Sequence, residues 1–265
     1  MKTTMERVLE HRDEALEHFP ESRIVGIFLQ GSQNYELDLP TSDVDTKLIV
    51  VPTLEDIIFN RKPVSTTHIR ANDEHIDFKD IRLMFQTFRK QNLNFVEILF
   101  SKYAWINPLY AEYWNKLVAE NERIARYNPY AAVATMKGIA LEKYHALEHE
   151  YPSKVDIIRE FGYDAKQLHH LLRVEEYLMR YIDGEKYSDC LISKQTDYLK
   201  QVKTQGFYSL ADAQVIALKS IYHTTEMAED YRISHGPTTD EFVDSLLDTT
   251  QREIMTKAIK LELEG

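Results

Sequence analysis

The chain has 265 residues, 43% of them hydrophobic, enough for one or two cores and consistent with two sub-domains. Lys plus Arg number 32 against 43 Asp plus Glu, a net charge of -11. That excludes a protein that coats nucleic acid through its overall charge, since phosphate neutralisation supplies most non-specific affinity. Any nucleic-acid partner must meet a local basic patch. The single cysteine, Cys190, excludes an internal disulfide framework, and the residues around it offer nothing that would activate a nucleophile. No run approaches the ~18 apolar residues of a membrane span, and the charged start MKTTMERVLEHRDEALEHF lacks the apolar centre of a signal peptide. A soluble, cytoplasmic protein without a membrane partner is the expectation.

Residues 3–18 read as a helix with an imperfect apolar face, ended by Pro20. Two apolar runs follow, 24–29 and 48–51, joined by a polar loop and predicted to pair as a hairpin. Thr53 caps a short helix with an acidic first turn. Short strands at 68–70 and 74–78 flank the turn composition Ala71-Asn72-Asp73. From Asp80 the apolar residues Ile81, Met84, Phe85 and Phe88 recur at helical spacing. Asn94 and Glu97 fit a helix cap in which the carboxylate reaches back to the cap N–H. Beyond residue 104 the strand signal nearly vanishes. Helices are predicted from Asn128-Pro129 to His149, over 163–183 with Gly184 as its end, and near 189–204, 210–232 and 239–263. The change of pattern divides the chain into a mixed domain at 1–103 and a helical domain at 104–265.

The chemistry concentrates between Leu29 and Pro52. The first apolar run ends in Gly31-Ser32, and Ser42-Asp43-Val44-Asp45 opens the second. Alternate strand residues share a face, so Asp43 and Asp45 lie side by side, ~7 Å apart along the strand, with Val44 behind them. Two such carboxylates repel each other unless a cation sits between them, and hard oxygen ligands suit a magnesium ion that also holds phosphates. In His75-Ile76-Asp77-Phe78 the same alternation puts Asp77 opposite the core-facing Ile76 and Phe78. Asp73 and Asp80 compete for the role of a third carboxylate. Glycine permits close approach of a phosphate to backbone N–H groups and serine adds a hydroxyl donor, whereas the lysine and second glycine of a P-loop are missing.

The order strand, Gly31-Ser32, loop, Ser42-Asp43-x-Asp45, strand resembles the signature of the DNA polymerase β superfamily of nucleotidyltransferases. It is most similar to the bacterial and phage predicted nucleotidyltransferases, which include an RNA-repair-associated group. The resemblance implies an α/β (α+β) nucleotidyltransferase domain with a mixed sheet, followed by an all-α domain covering the cleft. It implies transfer of a nucleoside monophosphate from an NTP to an acceptor hydroxyl with release of pyrophosphate. Asp43 and Asp45 would hold two Mg²⁺ (or Mn²⁺) ions, and Asp77 would complete one site and act as base. Gly31 and Ser32 would cradle the triphosphate. The segment Lys166-x-x-x-His170-x-x-Arg173 resembles the family's helical region and implies nucleotide contacts for Lys166 and Arg173, with Lys137 a further candidate.

On the helix over 163–183, Leu168, Leu171, Leu172, Leu178, Met179 and Ile182 form an apolar stripe. Lys166, His170, Arg173, Tyr177 and Arg180 are predicted on the opposite, solvated side, a basic face suited to an RNA or tRNA acceptor. His169 and His170, adjacent on a helix, diverge by about 100° and do not form a metal pair. A protein-modifying AMP transferase and a non-catalytic nucleotide or metal sensor of the same fold are the alternatives.

Overall fold

The computed structural model describes residues 2–40 and 42–264. In chain order the elements are α1 (Thr4–Ala15), β1 (Ile24–Gln30), β2 (Asp45–Val50), α2 (Leu54–Ile58), β3 (Ser65–Ile69), β4 (His75–Asp80), α3 (Ile81–Arg89), α4 (Leu93–Val96), β5 (Ala104–Ile106), α5 (Ala111–Ala119) and α6 (Asn121–Ala125). Helices follow to the end: α7 (Pro129–Ala146), α8 (Val155–Phe161), α9 (Ala165–Ile182), α10 (Tyr187–Leu191), α11 (Thr196–Lys203), α12 (Leu210–Ser234) and α13 (Glu241–Glu264). They fall into two compact units. The first takes residues 1–34, 40–128 and 239–265, the second 35–39 and 129–238.

The first unit is α+β, built on a five-stranded sheet in the order β3-β4-β2-β1-β5. β2 and β4 are parallel and the other pairs antiparallel, so the sheet is mixed. The paired apolar runs form as expected, in a register that sets Gln30 against Asp45 and Ile27 against Leu48. Ile27, Leu29, Val44, Leu48, Val50, Ile76 and Phe78 face Val8 and Ala15 of α1 in one core cluster. By alternation Asp45, Lys47, Asp77 and Lys79 belong to the other face. On β1, Phe28 packs its ring 4.9 Å from that of Trp114 in α5. Gly26 is required by close approach: a Cβ there would meet the Phe28 ring at 2.9 Å and the Trp105 carbonyl at 3.0 Å.

Local chemistry explains the helix starts. Thr3 and Glu6 form a reciprocal cap on α1, Thr53 and Asp56 do the same on α2, and Asp80 caps α3. Asp80 is buried and bound to Arg82, which removes it as a competitor for the site. The cap near α4 is Asn92, not Asn94, whose amide is the one capped. β5 was not foreseen, since three residues are too few to show alternation, and its pairing with β1 fixes it. The unit also keeps α13, whose Asp244, Asp248 and Glu253 bind Arg89 and Lys116, while Asp240 just before it binds Arg123. Residues 104–128 and 239–264 therefore sit with the sheet, whereas the change of pattern placed a boundary near 103.

All elements of the second unit are helical, with α7, α9 and α12 packed pairwise and α10 and α11 against α9. The expected helix over 189–204 is two, α10 and α11. α9 lies at the centre, and this overturns the expected solvated basic face. Arg173, Tyr177 and Arg180 are buried, while Met179 from the apolar stripe is exposed. Periodicity marks one apolar stripe, but a helix surrounded by neighbours buries its polar side too.

Candidate active site at the end of the β1–β2 hairpin

The antiparallel pairing of β1 with β2 carries Gly31-Ser32 and Asp43-Val44-Asp45 to the same end of the sheet, because Gln30 and Asp45 are direct partners. Gly31 turns the chain out of β1 with φ +104°, a conformation that L side chains rarely adopt. The turn is pinned from inside by Asn34, whose side chain donates to the Leu29 carbonyl at 2.8 Å and whose backbone N–H donates to the Gly31 carbonyl at 3.1 Å. Gln33 links the turn to the carboxylate segment, its amide donating to the Asp43 carbonyl at 2.6 Å. Ser32 is half-buried and Asp43 exposed. Asp45 is half-buried, and its Oδ1 accepts from the His75 N–H at 2.9 Å.

Behind this segment is a buried ionic network. Val44 faces the core as alternation requires, and its N–H donates to Glu74 Oε1 at 3.2 Å. Glu74 also pairs with Arg7, with Arg70 at 2.7 Å and with His11 Nε2 at 2.9 Å. His11 Nδ1 lies 2.9 Å from the Thr46 hydroxyl. Burial, helped by the Arg70 charge, pushes His11 down to about 4. A neutral ring then accepts from Thr46 through Nδ1 and donates to Glu74 through Nε2–H. Arg7 donates to the Ser42 carbonyl at 3.3 Å, so α1 and Glu74 together fix the backbone of 42–46.

Asp77 lies on β4 directly beside Lys47 of β2. Its Oδ1 accepts from the Thr67 hydroxyl at 2.6 Å and its Oδ2 from the Gln30 amide at 3.0 Å. The ammonium of Lys47, on a side chain only 3% exposed, stands 3.6 Å from the same Oδ2. It also lies 4.0 Å above the Phe95 ring centroid, with Lys79 at 5.0 Å from that ring. A cavity of about 210 Å³ opens beside the pair, lined by Lys47, Ser65, Thr67, Asp77, Lys79 and Phe95 among others. Burial pulls Lys47 below the usual lysine range, opposed chiefly by Asp77. Burial would raise Asp77, but the bonds from Thr67 and Gln30 and the Lys47 charge outweigh it and hold the carboxyl below its ordinary value.

Among the described residues, no three His, Cys, Asp or Glu side chains come together in a group that could hold a metal ion. Asp43 and Asp45 suit a divalent cation as a pair at an open strand end. Asp77 differs, since both its oxygens are hydrogen-bonded and Lys47 stands beside it. At an effective dielectric of about 20, a divalent ion ~4 Å from the Lys47 ammonium would meet a repulsion of roughly 8 kcal/mol, set against its attraction to the carboxylate. Residue chemistry hinted at this: Lys47 is the one charged residue in the apolar run after Asp45, two positions on and therefore on its face. Gln30, Gln33, His11 and Glu74 gave no comparable signal.

In the second unit, taken by itself, Lys137 is paired with Glu229 at 2.7 Å and Lys166 is exposed at the start of α9. Arg173 is 8% exposed, lies 3.5 Å over the Tyr35 ring, and leaves Nε and Nη2 without a hydrogen-bond partner. His169 is bound to the Leu199 carbonyl and pushed by burial to about 4, a structural role rather than a metal ligand. Cys190 is buried.

No family model matches the chain, and no curated protein matches it either. The chain is similar to the solved structure of a nucleotidyltransferase-like protein from Exiguobacterium sibiricum 255-15, with 11% identity, 86% of this chain and 75% of that chain covered, and a TM-score of 0.34. A likeness so shallow adds no weight to the geometry. No helix among the described residues is long and apolar enough to cross a membrane.

Proposed function

We propose that the protein is a metal-dependent nucleotidyltransferase that moves a nucleoside monophosphate from an NTP to an acceptor hydroxyl and releases pyrophosphate. The observation that carries this reading is the register that sets Gln30 against Asp45, since it brings a positive-φ glycine turn and two carboxylates to one end of one hairpin. The Gly31-Ser32 turn offers backbone N–H groups and a hydroxyl to triphosphate oxygens. Asp43 and Asp45 would hold Mg²⁺ or Mn²⁺, which when bound supplies charge stabilisation to the phosphates. Gln33 and the Glu74–His11–Arg7 network hold the carboxylate segment in place, so that the pair need not reorganise to bind. In the helical unit, Arg173 carries two buried donors that an anion such as a phosphate would satisfy. Lys166 is a further candidate for such a contact, and Lys137 would first have to leave Glu229.

The solvated basic face that favoured an RNA or tRNA acceptor is not formed, because Arg173 and Arg180 are buried. The acceptor is therefore proposed only as a hydroxyl. The test is incubation with α-labelled NTPs and Mg²⁺ in three arms: pooled RNA, cell lysate for protein acceptors, and a small-molecule extract. Label in one arm identifies the acceptor class. Asp45→Asn should reduce incorporation by at least about a hundredfold, the upper end of what loss of a metal-site interaction does, with an unchanged melting temperature. No label in any arm, or full labelling by Asp45→Asn, overturns the reading.

A further inference from the structure

We infer that the site works with one divalent cation, held at Asp43 and Asp45, and that the buried ammonium of Lys47 occupies the charge position that a second ion at Asp77 would take. The inference rests on the proposed transferase reading and departs from the ligand set that the family resemblance implies, in which Asp77 completes a second site. Asp77 is committed on both oxygens, to Thr67 through Oδ1 and to Gln30 and Lys47 through Oδ2. Lys47 has its ammonium inside the protein, 3.6 Å from this carboxylate and 4.0 Å above the Phe95 ring, with the backbone of β2 and β4 in register on either side. A lysine so buried needs a counter-charge, and Asp77 supplies it at ion-pair distance.

Asp77 is then a positioning residue. It fixes Lys47 and, through the Gln30 amide, the strand end at which Asp45 begins. The lysine presents its ammonium to the cavity it shares with Thr67, Ser65 and Lys79, where an anionic group of a substrate would meet it without a second metal ion. The arrangement also separates two roles that the family resemblance assigns together. Asp43 is exposed and Asp45 accepts from the His75 N–H, whereas the charge at Asp77 is met within the protein by Lys47.

The experiment counts ions. Crystals of the whole chain grown with Mn²⁺ and α,β-methylene-ATP should show one anomalous scattering peak, against Asp43 and Asp45, and none in contact with Asp77. In solution, Asp77→Asn should change the Mn²⁺ dissociation constant less than about twofold, while Asp45→Asn weakens it at least about tenfold. Because Asp77→Asn takes from the buried Lys47 its ion-pair partner at 3.6 Å and leaves the Glu97 charge as the remaining offset, the double variant Lys47→Met/Asp77→Asn provides a folded control with the same expected Mn²⁺ affinity. Lys47→Met alone removes the positive charge beside Asp77, while Thr67 and Gln30 stay bonded to it, and should raise the count to two. Two peaks in the wild-type chain, or a tenfold loss of affinity in the double variant, overturn this inference and leave the transferase reading standing. No peak, together with equal Mn²⁺ affinity in Asp45→Asn and wild type, overturns both.

Discussion

Two buried arginines stand seven residues apart on α9 and live in opposite surroundings. Arg180 is closed: its guanidinium donates to Glu185 at 2.9 Å, to the Ile192 carbonyl at 2.7 Å and to the Asp189 carbonyl at 2.7 Å, with Glu176 at 3.5 Å. Arg173 is open: it stacks on Tyr35 and leaves two buried donors unsatisfied. The first unit repeats the contrast in its carboxylates. Glu74 is enclosed by Arg7, Arg70, His11 and the Val44 N–H, whereas Asp43, next to Val44 in the chain, is exposed at the strand end. A buried charge that the protein completes by itself holds the fold, and we propose that Arg173, left incomplete, is completed by a ligand.

The sharpest way to break this contrast is to replace both arginines by methionine. Arg180→Met takes the guanidinium from the buried Glu176, which keeps its bonds from Ser193 and the Lys194 N–H, and should cost about 3–5 kcal/mol, the usual consequence of removing one member of a buried pair. Arg173→Met removes an unsatisfied charge and should be close to neutral, or stabilising, in the ligand-free protein. Denaturant unfolding measures both, and ATP should raise the melting temperature of the wild type more than that of Arg173→Met. Equal destabilisation by the two substitutions would make Arg173 a structural residue like Arg180.

A smaller effect comes from protons. His11 is held neutral inside the Glu74 network with its pKa down at about 4, against 6.5 for an ordinary histidine. The unfolded chain therefore takes up its proton first as the pH falls, and the stability that depends on a neutral His11 is complete above 6.5 and is lost progressively between 6.5 and 4. From pH 7 to pH 5 the loss should be about 2 kcal/mol. His169 in the second unit shifts in the same direction for the same reason, burial, and adds its own slope. Unfolding curves at the two pH values for wild type and His11→Gln separate them: the variant should lose about 2 kcal/mol of the pH dependence and keep the part due to His169. An unchanged slope would mean that His11 is protonated in the folded protein.

How much of this was legible depended on whether a residue's neighbours in sequence are also its neighbours in space. The hairpin, the cap at Thr53, the helix that starts after Asp80, and the alternation that buries Val44, Ile76 and Phe78 are local patterns, and they formed as read. The Gly31 turn, with its positive φ, was legible for the same reason. What was hidden needs the register between distant strands. Nothing near Asp77 in the chain says that Lys47 lies beside it, and only the β2–β4 pairing brings the two together. The same holds for His11 and Glu74, 63 residues apart. The α9 face failed differently. Its periodicity is real, but its packing against α7, α10, α11 and α12 left little of it for solvent.

The weakest expected effect belongs to Ser32, and it separates the two kinds of donor at the Gly31 turn. The backbone N–H groups of the turn survive any side-chain change that respects φ +104° at residue 31, so Ser32→Ala removes only a hydroxyl. A hydrogen bond to a charged acceptor contributes about 1.5–3 kcal/mol when buried, and Ser32 is half-buried, so the lower end applies. The apparent constant for NTP should rise by roughly tenfold, with Mn²⁺ affinity at Asp43 and Asp45 unchanged. Gly31→Ala should cost more than Ser32→Ala, although a Cβ at residue 31 finds only Gln33 Oε1 at 4.0 Å, because the penalty lies in the backbone angle and not in space. If Ser32→Ala leaves the NTP dependence untouched while Gly31→Ala abolishes it, the triphosphate is held by the backbone alone. If neither substitution changes it, the turn serves only to reverse the chain.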